Sequence, residues 1–237
     1  SAQDLILNDG YTSATTVAIG ADLASTDDIH NNANVDLTVQ ANNGAITAAT
    51  DIEGSLGLND VVNIVNTATG TTTFDTNNDV FETINLVGYT SGAVPTIVTG
   101  AYALGATGGS LTINANTLTA LEPVTITGTS SATPMIITTG DGSDTVNLGT
   151  KADNLTAGAG NDIIAGTAGT NVIDAGAGND TITLGTGVEN ISGGAGNDIF
   201  VTAANIANTD TIDGGDGVDT LTTTTAISNP SVLSNVS

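Results

Sequence analysis

The sequence predicts an all-β protein that winds as a parallel β-solenoid, and two parts of the chain carry this prediction. From Thr139 onward, a nine-residue phrase repeats in a constant register. Before it, the chain is rich in threonine and β-branched residues, arranged in runs that alternate apolar and polar side chains. A fixed short period is typical of stacked coils, and alternation is typical of strands with one buried face.

The repeated phrase assigns a role to each of its places. It reads TGDGSDTVN, LGTKADNLT, AGAGNDIIA, GTAGTNVID, AGAGNDTIT, LGTGVENIS and GGAGNDIFV, and an eighth copy, GGDGVDTLT, starts at Gly214. The eighth place is always apolar and is predicted to point inward, since side chains alternate along a strand; it holds Val146, Leu155, Ile164, Ile173, Ile182, Ile191, Phe200 and Leu221. The sixth place always carries a side-chain oxygen, in Asp144, Asp153, Asp162, Asn171, Asp180, Glu189, Asp198 and Asp219. The glycine places allow the backbone angles of a tight turn.

This phrase matches the pattern G-G-x-G-x-D-x-U-x, in which U is apolar, and here the chain resembles the repeats-in-toxin (RTX) family of calcium-binding β-rolls. The resemblance implies that two phrases make one coil of eighteen residues, so that alternate phrases stack on the same edge. It further implies calcium ligands in the regular turns of the first edge, which are Gly140, Gly142, Asp144, Gly158, Gly160, Asp162, Gly176, Gly178, Asp180, Gly194, Gly196, Asp198, Gly215, Gly217 and Asp219.

The second edge carries Asp153, Asn171 and Glu189, and its turns have lost glycines, with Lys151 in one turn position. We therefore expect an asymmetric roll with few or no calcium sites on this edge. The eighth phrase begins later than the constant register allows, by three positions. This delay predicts one poorly matching phrase plus three extra residues within the segment 202–213, bulging on the second edge.

Several Ca²⁺ ions are the predicted cofactor. Carboxylates stacked about 4.8 Å apart repel one another by about 3–4 kcal/mol per pair at an effective dielectric of 20, and a divalent cation between turns removes that repulsion. Calcium accepts six to eight oxygen ligands, whereas zinc, copper and iron prefer imidazole or thiolate. The chain has no cysteine and one histidine, His30. The alternative is that these aspartates are solvated turn formers.

The part of the chain before Thr139 is expected to form a more irregular, threonine-rich solenoid that leads into the regular roll. Alternating runs lie at 35–41, 60–66, 81–89, 110–115, 123–128 and 134–140, and clusters of Asn, Asp and Gly separate them. A turn or two of helix is expected within Ala21 to Asn31. The acidic residues Asp51, Glu53, Asp60, Asp75, Asp79 and Glu82 are surface charges or, in part, further calcium ligands.

A second resemblance concerns the phrases NTLTALEPVTITG at 116–128 and DVFETINL at 79–86. Together with the nonapeptides they are similar to the C-terminal solenoid of RTX-type bacterial surface-layer proteins. The predicted organisation is a lead segment at 1–34, the threonine-rich solenoid at 35–138, the nonapeptide roll at 139–222 and a tail at 223–237. We expect the chain to be a mature product or a fragment of a longer protein.

Composition and motifs exclude several functions. With 25 acidic residues against one basic residue, the net charge is −24, which excludes ordinary nucleic-acid binding and opposes docking on anionic lipid. The sequence contains no run of about eighteen apolar residues, so no membrane span is predicted. The chain lacks H-E-x-x-H and G-x-S-x-G, has no arginine, and has a lone histidine, so we expect no enzyme.

The resemblances lead to two expectations about function. The first is a secreted structural protein that folds on binding calcium and self-assembles into a lattice or filament on a bacterial surface, with its own copies as partners. The second is a calcium-rigidified spacer module of an RTX adhesin. Either implies an extracellular location and export by type I secretion. Any contact with cell-surface polysaccharide is expected to use regions outside this chain.

Overall fold

The computed structural model describes residues 5–7, 15–18, 28–31, 37–41, 51–53, 60–65, 70–74, 82–87, 95–99, 109–128, 131, 133–202, 206, 209–223 and 233–236. These residues form strands and turns. The strands are β1 (Leu5–Leu7), β2 (Thr15–Ala18), β3 (Asp28–Asn31), β4 (Leu37–Ala41), β5 (Asp51–Glu53), β6 (Val61–Val65), β7 (Gly70–Phe74), β8 (Thr83–Val87), β9 (Pro95–Thr99), β10 (Leu111–Asn114), β11 (Thr125–Thr127), β12 (Met135–Thr138), β13 (Thr145–Asn147), β14 (Asn154–Thr156), β15 (Ile163–Ala165), β16 (Thr170–Ala177), β17 (Thr181–Thr183), β18 (Val188–Ala195), β19 (Ile199–Thr202), β20 (Thr211–Asp216), β21 (Thr220–Thr223) and β22 (Leu233–Ser234).

The strands form parallel sheets in which successive strands of the chain alternate between two sides. One sheet has eleven strands, taking every even-numbered strand from β2 to β22. A second has eight strands, taking the odd-numbered strands from β7 to β21, and a third joins β1, β3 and β5. Two strands per coil on opposite walls, all parallel, confirm the predicted all-β parallel solenoid.

Register shows how the coils differ along the chain. In the regular roll, Val146 pairs with Ile164 and Ile164 with Ile182, a constant step of eighteen residues. Upstream, Ile84 pairs with Ile113 and Ile113 with Ile137, and these two steps are longer and unequal. The threonine-rich part therefore coils irregularly, as predicted, because its turns vary in length.

The three extra residues lie between β19 and β20. Ile182 pairs with Phe200 at the regular step, whereas Ile191 pairs with Ile212 at a step three residues longer. Since the chain passes from the eight-stranded to the eleven-stranded sheet there, the insertion is on the second edge, as predicted. Residues 203–205 and 207–208 lie outside the described residues.

One hydrophobic core fills the space between the two large sheets, from Val62 to Ile212. Seven of the eight apolar residues in the eighth place are at most 2% exposed, and Leu221 packs against the same core as a half-buried residue. In the threonine-rich part, β8 buries Ile84 and Leu86 in the same alternating way. Alternation thus delivers apolar side chains to the core along the length of the roll.

The helix expected within Ala21 to Asn31 is wrong for its last four residues, which form β3. Ile29 pairs with Leu5 on one side and Ile52 on the other, so main-chain pairing joins these residues across three coils. Pairing with neighbouring coils overrides local helix propensity here. Residues 21–27 lie outside the described residues, and the division into four segments stays a prediction.

Candidate metal centre

The sixth-place aspartates of the first edge form a buried column. Asp144, Asp162, Asp180 and Asp198 are each 1% exposed, and Asp219 is 3% exposed. Each of these aspartates ends a turn and directly precedes a strand in the sequence. The alternative that these residues are solvated turn formers is therefore wrong, because solvent does not reach them.

One oxygen of each carboxylate is held by the main chain of the preceding coil. Asp162 Oδ1 accepts a hydrogen bond from the Asp144 amide at 2.7 Å, and Asp180 Oδ1 accepts one from the Asp162 amide at 2.8 Å. The same bond recurs from Asp180 to Asp198 and from Asp198 to Asp219, both at 2.8 Å. At the start of the column, Asp144 Oδ1 accepts from the Val124 amide at 2.7 Å.

In three of these carboxylates, the second oxygen is buried without a hydrogen-bond donor. This is true of Oδ2 in Asp162, Asp180 and Asp198. A buried carboxylate oxygen without a partner destabilises the folded state, because no hydrogen bond in the protein replaces those it makes with water in the unfolded chain. Three such oxygens in one column are the kind of defect that a bound cation corrects.

Burial changes how these carboxyl groups titrate. The pKa of Asp162 is raised from its ordinary value of 3.8 to about 7, mainly by desolvation and in part by the neighbouring charges of Asp144 and Asp180, against the lowering effect of the amide hydrogen bond. Desolvation also raises the pKa values of Asp144 and Asp180 to about 6 and shifts the pKa of Asp198 upward. Without a cation, the column is thus poorly suited to carry its full negative charge at neutral pH.

The glycines of these turns stack directly on one another. Gly176 and Gly178 have φ angles of 98° and 142°, in the region that favours glycine, and a Cβ on either would collide with the carbonyl oxygen of Gly158 or Gly160 in the coil before. The same arrangement recurs in the turns of Gly194 and Gly196 and of Gly215 and Gly217. Glycine carbonyl oxygens therefore stack from one coil to the next, in the same turns that end at the sixth-place aspartates.

The first turn departs from this uniform picture. Gly140 and Gly142 are not among the glycines with positive φ, and a Cβ on them would meet the main chain of Leu118 and Pro123. The irregular coil that precedes them does not supply a glycine turn. The regular stacking of glycine turns with positive φ therefore begins at Gly158.

A second column runs along the outside of the same turns at the fifth place of the phrase. Asn161 Oδ1 accepts from the Asn179 amide and Asn179 Oδ1 from the Asn197 amide, each at 2.7 Å. Ser143 and Asn197 extend the column to the Asn161 and Val218 amides. These side chains reach to the following coil, whereas the aspartates reach to the preceding one, so each turn is held from both sides.

The second edge satisfies most of its sixth-place oxygens within the protein. Asp153 accepts from the Met135 amide through Oδ1 at 2.8 Å and from the Gly149 amide through Oδ2 at 2.9 Å. Asn171 Oδ1 accepts from the Asp153 amide at 3.0 Å. Glu189 is the exception: Oε1 accepts from the Asn171 side chain at 3.3 Å, while Oε2 is buried without a donor. Desolvation raises the pKa of Glu189 to about 7.

Two acidic residues are buried that sequence reasoning did not recognise as buried. Asp210 accepts from the Glu189 amide at 3.0 Å and takes the sixth place of the phrase at 205–213. Its surroundings, TDTID, match NDTIT at 179–183, but the three-residue insertion hid the phrase. Upstream, Asp60 is fully buried and its amide donates to Glu82 Oε2 at 2.8 Å, so Asp60 is not the surface charge that composition allowed.

The donor atoms decide which ligand fits. Among the described residues, no three acidic, histidine or cysteine side chains converge on one point. The buried Oδ2 atoms of Asp162, Asp180 and Asp198 instead follow turns that carry stacked glycine carbonyl oxygens. Oxygen ligands of this kind, some of them main-chain carbonyls, suit Ca²⁺. Zinc and copper prefer imidazole or thiolate ligands. The described residues also include no helix long and apolar enough to cross a membrane.

Comparison with known proteins gives one match. The family model of the RTX calcium-binding nonapeptide repeat (4 copies) matches residues 138–173, 165–200 and 207–223, about a third of the chain. No curated protein and no solved structure matches the chain. RTX repeats bind calcium, and the matched segments coincide with the regular coils. The repeats and the parallel solenoid together support an RTX β-roll over these residues.

Proposed function

We propose that calcium binding between successive first-edge turns stabilises this chain as a rigid extracellular rod, and that the rod is a structural element of a self-assembling bacterial surface lattice. The observation that carries the calcium step is the column of buried Oδ2 atoms in Asp162, Asp180 and Asp198 that lack a donor. Each is adjacent to stacked glycine turns, where a cation would meet oxygen atoms of two coils.

The ligand set we propose is the one expected from the phrase. It consists of the aspartates of the first edge and the carbonyl groups of its glycine turns, in the gaps between Asp144 and Asp219. Calcium, when bound, supplies the positive charge that the column lacks. The chain itself positions the ligand oxygens. Hydrogen bonds from main-chain amides to Oδ1 hold each carboxylate, and the glycines bring the coils close together.

Charge accounts for the proposed location. A chain with a net charge of −24 and a column of buried carboxylates is destabilised where free calcium is scarce. Extracellular calcium sites have dissociation constants of about 10⁻⁴–10⁻³ M, so folding would follow release from the cell. Export by type I secretion would deliver the chain unfolded. We propose no catalytic role.

Calcium titration tests the first step. Far-UV circular dichroism of the calcium-depleted chain should show reduced β signal, and added calcium should restore it and raise the melting temperature. Magnesium at equal concentration is the control ion, because it demands near-ideal octahedral geometry and keeps its water ligands. A depleted chain that keeps its full β signal and melting temperature would refute the calcium step.

Electron microscopy tests the second step. Negative staining of the calcium-loaded chain should show ordered sheets or filaments that chelation disperses. A folded, calcium-loaded chain that remains monomeric at every concentration would exclude the lattice and support the alternative, a spacer module of an adhesin, which shares the calcium step.

A further inference from the structure

The outer surface of the eight-stranded sheet is uncharged over the whole regular roll. We define the neutral face as the two outward residues that flank the central inward-pointing residue in each of β11, β13, β15, β17, β19 and β21. Threonine, isoleucine, valine, alanine and asparagine fill these twelve places, and no acidic or basic residue is among them. In a chain with 25 acidic residues, an uncharged surface of six consecutive strands is a distinct feature.

The opposite sheet provides the comparison. Its outward places include Asp174 and Asp213 among the same number of strands, from β10 to β20. The Asn235 side chain donates to Asp213 at 2.8 Å, and this hydrogen bond lowers the pKa of Asp213, so that the group stays ionised. Exposed apolar groups occur on both surfaces, Ile163 on the neutral face and Val172 on the other. Charge, and not apolar content, distinguishes the two.

We infer that the neutral face is the surface through which a second copy of this chain packs laterally, sheet against sheet; this rests on the proposed lattice function. Two copies of an acidic chain repel one another, and the repulsion is smallest where neither presents a charge. A basic partner would prefer the opposite sheet or the turns that carry Asp141 and Asp216. The neutral face of a second copy is also uncharged, so the two faces complement each other.

The shape of the face suits such contact. Ile163 pairs with Thr181 and Thr181 with Ile199 in unbroken register. The outward side chains therefore form straight rows, in which neighbouring residues lie about 4.8 Å apart. Isoleucine, valine and threonine are restricted at χ1, so ordering them at a contact costs little entropy. Two sheets can then approach to about 10 Å, the usual separation of packed sheets.

The size of the face predicts how the contact is used. Six strands of three residues measure roughly 29 by 10 Å, or about 300 Å² per copy, below the ~800 Å² per partner of a stable complex. A single pairing is therefore weak. We expect ordered arrays, in which each copy makes several contacts, and no stable dimer in dilute solution.

Thr181 is the residue to test, since it lies in the middle of the neutral face between Ile163 and Ile199. Thr181→Glu should raise the protein concentration needed for arrays by roughly tenfold or more, because like charges would lie opposite each other. The matched control is Asn190→Glu, an outward seventh-place residue of β18 on the other sheet. Array formation is measured by sedimentation and negative staining, and circular dichroism with calcium checks that each variant folds.

A mixing experiment identifies the partner. Thr181→Lys alone should also assemble poorly, and an equal mixture of Thr181→Glu and Thr181→Lys should recover arrays if neutral faces meet each other. Arrays of Thr181→Glu equal to those of the unsubstituted chain, equal inhibition by Asn190→Glu, or no recovery on mixing would each overturn the inference while leaving the lattice intact. An unsubstituted chain that folds with calcium but stays dispersed overturns both.

Discussion

At the scale of the residue, Asp162 illustrates the conflict within the column. Its Oδ1 is satisfied by the Asp144 amide, and its Oδ2 is buried without a donor. Burial raises its pKa to about 7, so at neutral pH the calcium-free protein holds either a buried charge or a proton. The same carboxylate therefore has opposite effects on stability with and without calcium.

Asp162→Asn tests this reversal. Asparagine keeps the Oδ1 acceptor for the Asp144 amide but removes the charge, so the calcium-depleted protein should become more stable. With calcium at about one hundred times its dissociation constant, loss of one ion should cost about 3 kcal/mol. Melting curves in both conditions measure the two effects.

Asp174→Asn is the matched control, because Asp174 is an exposed aspartate of the same roll, outside the column. It should leave both melting temperatures nearly unchanged. If Asp162→Asn lowered stability equally with and without calcium, the carboxylate would have a structural role independent of the ion.

Residue roles were predictable from sequence where one place of the phrase has one task. The eighth place was recognisable because every copy needs an apolar side chain there, and β pairing confirms it. Burial of the sixth-place carboxylates was not predictable, because an aspartate beside glycine is more often a solvated turn residue. Asp210 escaped because the insertion displaced its phrase from the nine-residue register.

At the scale of the element, burial raises the pKa values of neighbouring carboxyl groups in the aspartate column together. Asp144 and Asp180 have pKa values raised to about 6 and Asp162 to about 7, all from an ordinary value of 3.8 and all mainly by desolvation. A folded state with raised carboxyl pKa values binds more protons than the unfolded chain. Stability therefore falls as pH rises through the interval from about 4 to about 7.

This sign gives a pH prediction for the calcium-depleted chain. Its melting temperature should be higher at about pH 5 than at about pH 8, since protons replace the missing cation. With calcium bound, the dependence should weaken or reverse, because protons and calcium compete for the same oxygens. Thermal melts of resin-depleted and calcium-loaded samples across this range measure it. A depleted chain that is most stable at high pH would contradict the raised pKa values.

Elements were predictable to different degrees in the two halves of the chain. In the regular roll, the nine-residue period fixes strand, turn and register together. In the threonine-rich part, strands β6, β8 and β10 follow predicted alternating runs, but the sequence does not show that Ile84 pairs with Ile113 and Ile113 with Ile137, because no constant period assigns each run to a sheet. Residues 28–31 form a strand because neighbouring coils pair with them, which local propensity does not report.

At the scale of the whole molecule, one core joins the calcium-binding coils to the coils before them. The core is continuous from Val62 to Ile212, and Asp144 accepts a hydrogen bond from the Val124 amide in the preceding coil. Stability in stacked coils passes between nearest neighbours. Calcium should therefore stabilise strands that bind none of it.

Hydrogen exchange tests this transmission. Calcium should slow amide exchange in β11 and, to a smaller extent, in β10, although both precede the first regular turn. Mass spectrometry of the intact chain with calcium, with magnesium and after chelation gives the comparison. Protection that stops at the start of the nonapeptide phrases would show that the two parts open independently.

The two opposed columns that bracket each first-edge turn have a consequence for the length of the protein. The junctions from Asp162 to Asp180 and from Asp180 to Asp198 are chemically the same, with an aspartate reaching back and an asparagine reaching forward across eighteen residues. Gain or loss of one such eighteen-residue unit leaves the surviving first-edge junctions with identical partners. Duplication can thus extend the solenoid in steps of about 4.8 Å while the same first-edge hydrogen bonds form at each step.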